Sequence, residues 1–79
     1  MLHIIRKDTQ VTNNTQQALV KHKGAYYLVS YSTRTNPSET LIFKSDSMGN
    51  VTDWGEVGGA RYVELEEVLE DFENYLYYL

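Results

Sequence analysis

Carboxylates are the side chains of this 79-residue chain whose number and spacing could do chemistry. Glu64, Glu66, Glu67, Glu70, Asp71 and Glu73 place six acids within ten residues near the C-terminus. Acids clustered in this way can hold a hard cation, move protons, or present a row of negative charge that imitates a phosphate backbone to a basic surface. The first two uses need partners that the chain lacks. Asp46, Asn50 and Asp53 do not have the spacing of a calcium loop, and no glutamate closes one, so they read as hairpin-turn residues. His3 and His22 are the only histidines, and neither sits in a serine or acid arrangement that suggests a triad. Both read as exposed or sheet-edge residues. There is no cysteine, which removes thiolate nucleophiles, thiolate metal sites and disulfides together. Gly55, Gly58 and Gly59 lack the lysine and spacing of a phosphate loop. The expectation is a protein that is not an enzyme, with no catalytic residue, no cofactor and no metal; an acid-assisted metal enzyme stays only as a remote alternative.

Charge is divided between the two ends of the chain. Residues 1–45 carry six bases against Asp8 and Glu39, whereas from Asp46 onward nine acids face the single base Arg61. A one-sign face of this kind repels nucleic acid and attracts basic surfaces, but it specifies no reaction. No apolar run approaches the ~20 residues that span a bilayer, and the N-terminus lacks the apolar stretch of a signal peptide, so a cytoplasmic protein is expected. The length allows one domain, residues 1–79, with room for one sheet and one helix.

The elements that must position these acids follow from the hydrophobic pattern. Leu2 to Lys7 reads as a strand, followed by a turn through Asp8 to Thr15. Gln16 to Lys21 is ambiguous between strand and helical turn and is assigned as strand, with Lys23-Gly24 as its break. Ala25 to Thr33 alternates, with Tyr27, Val29 and Tyr31 on one face and Tyr26, Leu28 and Ser30 on the other. A turn around Pro37, a strand Glu39 to Ser45, a turn Asp46 to Asn50 and a strand Val51 to Val57 complete a meander. Gly58-Gly59 reads as the break between sheet and helix. From Val63, the residues Leu65, Val68, Leu69, Phe72, Tyr75, Leu76 and Leu79 repeat at helical spacing. The expected fold is α+β: an antiparallel sheet of four or five strands with one C-terminal amphipathic helix packed on one face.

On that helix Glu64, Glu66 and Glu67 favour the positive end of the dipole, whereas Glu70, Asp71 and Glu73 repel their neighbours and no lysine on the helix offsets them. The bland reading is a solvated face that keeps a small protein soluble. The functional reading makes Glu66, Glu67, Glu70, Asp71 and Glu73 a partner-binding surface. A competing class is a module that binds or sequesters a nucleotide-like ligand on Tyr26, Tyr27 and Tyr31 with Lys21, Lys23 and Arg34. A packed sheet with solvated lysines accounts for the same residues. The terminal Tyr75, Tyr77 and Tyr78 exceed what one helix can bury on a sheet, which makes Tyr77 and Tyr78 candidates for a homodimer or partner contact.

From Leu28 to about Val68, the segments Leu-Val-Ser-Tyr-Ser, Glu-Thr-Leu-Ile-Phe-Lys-Ser-Asp, Gly-Asn-Val-Thr-Asp-Trp-Gly-Glu-Val and Gly-Gly-Ala-Arg-Tyr, followed by a glutamate-rich helix, resemble small tailed-phage accessory proteins of uncharacterised function. The chain departs from that pattern at Lys44, where proline is common, and in its longer N-terminal extension. The resemblance implies phage origin and expression in a host bacterial cytoplasm, where small acidic proteins block host enzymes or defence complexes. It supplies no catalytic residue, and it gives Gly49 a turn role, Phe43 and Trp54 core roles, and Asp53 and Glu56 local caps or pairing with Arg61. Together these lines lead to an expected inhibitor of a host nucleic-acid-handling or anti-phage complex, such as a CRISPR effector, acting through the acidic helix on a basic protein surface without binding nucleic acid or membrane itself.

Overall fold

The computed structural model describes residues 2–12, 14–33 and 38–77, with the backbone alone at 9–12. Five strands, β1 (His3–Thr12), β2 (Thr15–His22), β3 (Ala25–Ser32), β4 (Glu39–Ser45) and β5 (Val51–Arg61), form one antiparallel sheet in sequence order. Two short helices, α1 (Leu65–Glu70) and α2 (Phe72–Tyr75), follow it. The α+β class is therefore the one the hydrophobic periods indicate.

Turn chemistry explains the meander. Lys23 (φ 50°) and Gly24 (φ 82°) both take left-handed geometry between the paired residues His22 and Ala25, as a tight twisted hairpin requires. In the β4–β5 turn, the Asp46 carboxylate accepts the Met48 and Asn50 N–H groups, each at 2.9 Å, while Gly49 (φ 92°) reverses the chain. The Asn50 backbone bond, with further bonds from the Asn50 side chain, Met48 and Gly49, holds the Asp46 carboxyl below its ordinary value against a smaller opposing effect of burial. The first turn is shorter than expected: β1 continues to Thr12, which pairs with Thr15, and a register shift between Asp8 and Thr12 absorbs the polar residues assigned to a loop. The expected turn at residues 34–37, Pro37 included, lies outside the described residues.

The core lies between the sheet and the helical segment. Ala18 and Val20 from β2, Val29 from β3 and Ile42 from β4 share one buried cluster with Leu65, Val68, Leu69 and Phe72. Burial of such side chains is the main stabilising force, about 25 cal/mol per Å² of apolar surface. On the opposite face Leu19 and Leu28 are also buried, and the β4–β5 turn closes over Leu19, bringing Gly49 beside it and the Arg6 guanidinium.

Two expected boundaries move. Gly58 and Gly59 lie inside β5, paired with Ile42 and Leu41, because the C-terminal segment crosses so close that a side chain at 58 would meet the Tyr75 carbonyl and stand 3.0 Å from Leu76 Cα. Leu76 bridges Gly58 as a short strand contact, and the Tyr77 N–H donates to the Val57 carbonyl at 2.9 Å. The chain instead swings out of the sheet at Tyr62, which takes φ 65° and is 80% exposed. The C-terminal segment is also two short helices rather than one, broken at Asp71 (φ −133°, ψ 41°) and ended by extended Leu76. A continuous helix would carry Leu76 away from its bridge to β5.

Candidate functional site

Inward-facing Leu65, Val68, Leu69 and Phe72 fix the orientation of the helical layer, which leaves Glu66, Glu67, Glu70, Asp71 and Glu73 all exposed. The apolar spacing that seals the core thus places every predicted partner-binding acid on the solvent side of that layer. Their environments differ from the expected unrelieved stripe. Glu66 pairs with the Lys7 ammonium from β1, and Glu73 Oε1 stands 3.4 Å from Lys23 Nζ in the β2–β3 turn. The helical sequence contains no base, but sheet pairing brings two lysines to its sides. Asn74 Nδ2 donates to Asp71 Oδ1 at 2.6 Å, across the break between the helices. Glu67 Oε2 accepts the Tyr75 hydroxyl at 3.0 Å. Among the described residues, the Glu70 carboxylate alone of the five makes no hydrogen bond or ion pair.

His22 corrects the expectation of an exposed or edge histidine. Its side chain is only 4% exposed, closed over by α2, with its ring edge-on to Phe72 at 5.3 Å. Nε2 comes within 3.2 Å of Glu73 Oε1, yet neither ring nitrogen has an aligned hydrogen-bond partner among the described residues. Beside it a groove of about 240 Å³ is lined by Leu2, Leu69, Phe72, Glu70, Asp71 and Glu73. No group of three or more histidine or acidic side chains among the described residues is placed to hold a metal ion.

No family model, curated protein or solved structure matches the chain. The functional reading therefore rests on side-chain chemistry. No helix among the described residues is long and apolar enough to cross a membrane.

The sheet aromatics do not form one platform. Tyr27 packs edge-on to Phe72 at 5.4 Å and, with Tyr31, lines the core. Tyr26 is on the other face, where the Lys21 ammonium lies 5.4 Å from its ring centre. Lys23 faces Glu73 instead, and Arg34 lies outside the described residues. A nucleotide-like ligand would thus find Tyr26 apart from the other two rings.

The roles that the resemblance implied divide in a similar way. Gly49 does make the turn, and Asp53 Oδ1 caps the Gly55 N–H at 2.9 Å. Trp54, assigned to the core, is instead 74% exposed. Phe43 is half-buried and meets the Trp54 ring edge-on at 5.3 Å. Glu56 does not pair with Arg61: Tyr77 Oη donates to Glu56 Oε2 at 2.8 Å, while Arg61 faces Glu39 at 3.9 Å. Tyr77, a candidate dimer residue, therefore straps the C-terminal segment to β5, and Tyr78 lies outside the described residues. Sequence reading missed the exposure of Trp54; the turn-forming Asp-Trp-Gly triplet at 53–55 was the available signal.

Both bonded phenols resist ionisation. Donation to Glu67, then burial and the Glu67 and Asp71 charges, raises Tyr75 above the ordinary tyrosine pKa; donation to Glu56, then burial and the charges of Glu56 and Glu39, does the same for Tyr77. A pKa that is higher folded than unfolded adds stability that is fully present below the unfolded value and is lost as pH rises through the folded one. An absorbance titration of the phenolate band should accordingly show Tyr75 and Tyr77 ionising late. Glu67→Ala and Glu56→Ala should each return one to the normal range; an unchanged titration in both variants would mean that these bonds do not form in solution.

Proposed function

We propose that this protein is a non-enzymatic binding protein of phage type that docks on a basic surface of a host protein and blocks it. Nucleic-acid-handling and anti-phage defence complexes, CRISPR effectors among them, present such surfaces because they must hold phosphate backbones, and the site of action would be the host cytoplasm. One observation carries the reading: Glu66, Glu67, Glu70, Asp71 and Glu73 all face solvent from a helical layer whose other side is locked into the core. The packed layer fixes the backbone beneath these carboxylates, so docking has only their side chains left to order. The weak surface pairs with Lys7 and Lys23 can be exchanged for a partner's bases at little cost, since exposed ion pairs contribute little to stability.

The experiment is the affinity of a captured protein partner across a salt series. Affinity should fall by about tenfold or more between ~50 mM and ~500 mM salt, because exposed charge pairs are screened over a Debye length of about 10 Å at 0.1 M. Glu66→Gln with Glu70→Gln should weaken binding at low salt while leaving the circular dichroism spectrum unchanged. Binding by this folded double variant at wild-type strength would remove the acidic layer as the site.

A further inference from the structure

The acidic layer leaves an exposed feature of β5 unexplained. Ile42 pairs with Gly58 and Lys44 with Asp53, so the single residue Phe43 faces the four residues Trp54, Gly55, Glu56 and Val57. The excess chain bulges out of the sheet and carries Trp54, 74% exposed. The largest apolar side chain of the protein thus projects into water. Its base is fixed: Phe43 supports the ring edge-on at 5.3 Å, Asp53 caps Gly55, and Tyr77 bonds Glu56 through its hydroxyl and Val57 through its backbone. A bulge that re-aims a side chain while its base is held in place is a common device at binding sites.

The chemistry around the ring selects its occupant. Asp53 directly precedes Trp54 in the chain and Glu56 follows it by two residues, and each commits one carboxylate oxygen within the chain and leaves the other open. A tryptophan face attracts cations, most often arginine, and a carboxylate within reach of the bound guanidinium adds a charge-assisted bond. Rigid, exposed tryptophans are also frequent anchors of protein interfaces. We infer that Trp54, with Asp53 and Glu56, is a second contact site that receives an arginine- or lysine-bearing segment of a protein partner. This deepens the proposed basic partner, on which it rests, but it uses residues separate from the acidic helical layer.

Trp54 is the only tryptophan, so its fluorescence reports on this site alone. The probe is an acetylated peptide alternating glycine and arginine, titrated at low salt, with the glycine–glutamate peptide as control. A saturable change in Trp54 emission is expected with the arginine peptide only. Asp53→Asn with Glu56→Gln should weaken it at least ~5-fold, as loss of charge-assisted bonds does. No saturable change, an equal response to the glutamate peptide, or equal affinity in the Asp53/Glu56 variant would overturn the assignment. Calorimetry on the same samples separates the two sites. Heat of binding that depends on Glu66 and Glu70 while Trp54 stays silent would sink this proposal and leave the acidic layer standing. A Trp54 response with no heat dependent on Glu66 and Glu70 would do the reverse.

Discussion

Phe72→Ala is expected to bring the protein close to unfolding at room temperature. Phe72 is 3% exposed and joins the helical layer to the sheet, touching His22 at 5.3 Å and Tyr27 at 5.4 Å ring to ring. Emptying such a site costs about 3–5 kcal/mol, from lost transfer energy and the cavity left behind. A domain of this size holds only about 4–12 kcal/mol in total, at ~0.05–0.15 kcal/mol per residue. The check is urea unfolding followed by far-ultraviolet circular dichroism, because Trp54 is already exposed in the folded state and its emission should change little. Phe72→Leu leaves a smaller cavity and should lose clearly less stability than Phe72→Ala. Equal stability of Phe72→Ala and the wild type would mean that the helical segment does not close the core.

Gly58→Ala should produce the second large loss. A methyl group at this position would meet the Tyr75 carbonyl and lie 2.9 Å from Ile42 Cδ1 and 3.0 Å from Leu76 Cα. Two of these neighbours are backbone and cannot rotate away. The helical segment must then lift off β5, breaking the Leu76 bridge and the Tyr77 bonds to Val57 and Glu56. Overpacking costs about 1–3 kcal/mol, and this position belongs at the upper end because the obstruction is main chain. At ~4–8 °C per kcal/mol for a small domain, thermal unfolding should begin about 10–20 °C lower. Tyr77 should also ionise at its ordinary value in this variant. A normal melting temperature would show that the C-terminal segment does not cross β5 at Gly58.

Patterns with a short period were legible in the sequence. Strand Glu39–Ser45 and the Asp46–Asn50 turn lie where alternation and turn chemistry put them, and the ambiguous Gln16–Lys21 segment is indeed strand. Errors arose wherever a distant segment decided the local outcome. Gly58 and Gly59 look like a hinge, but they are close-approach residues inside a strand, Gly58 against the crossing at Tyr75 and Leu76 and Gly59 against the Thr40 carbonyl and Leu41 of β4. Helical spacing through Leu79 gave no sign that Leu76 would pair with β5. His22 reads as exposed in the sequence because the ring that covers it, Phe72, lies fifty residues further along. The acidic residues of the candidate site were legible, all five exposed, but not the bases beside them, since Lys7 and Lys23 reach Glu66 and Glu73 only through sheet pairing. Trp54 shows the opposite failure: the resemblance implied a core role, while a four-against-one bulge turned the ring outward.

The central claim, recognition of a basic protein surface by the acidic helical layer, is tested most directly by parallel capture from bacterial lysate. Wild type and the Glu66→Gln/Glu67→Gln/Glu70→Gln variant would be compared at low and high salt, with the affinity of each retained protein then measured in purified form. A protein with a basic nucleic-acid-binding groove should be held by the wild type at low salt, be released at high salt, and bind the variant at least ~10-fold more weakly, the loss expected when screened charge pairs dominate. A partner held equally by both proteins at both salt concentrations would contradict the claim.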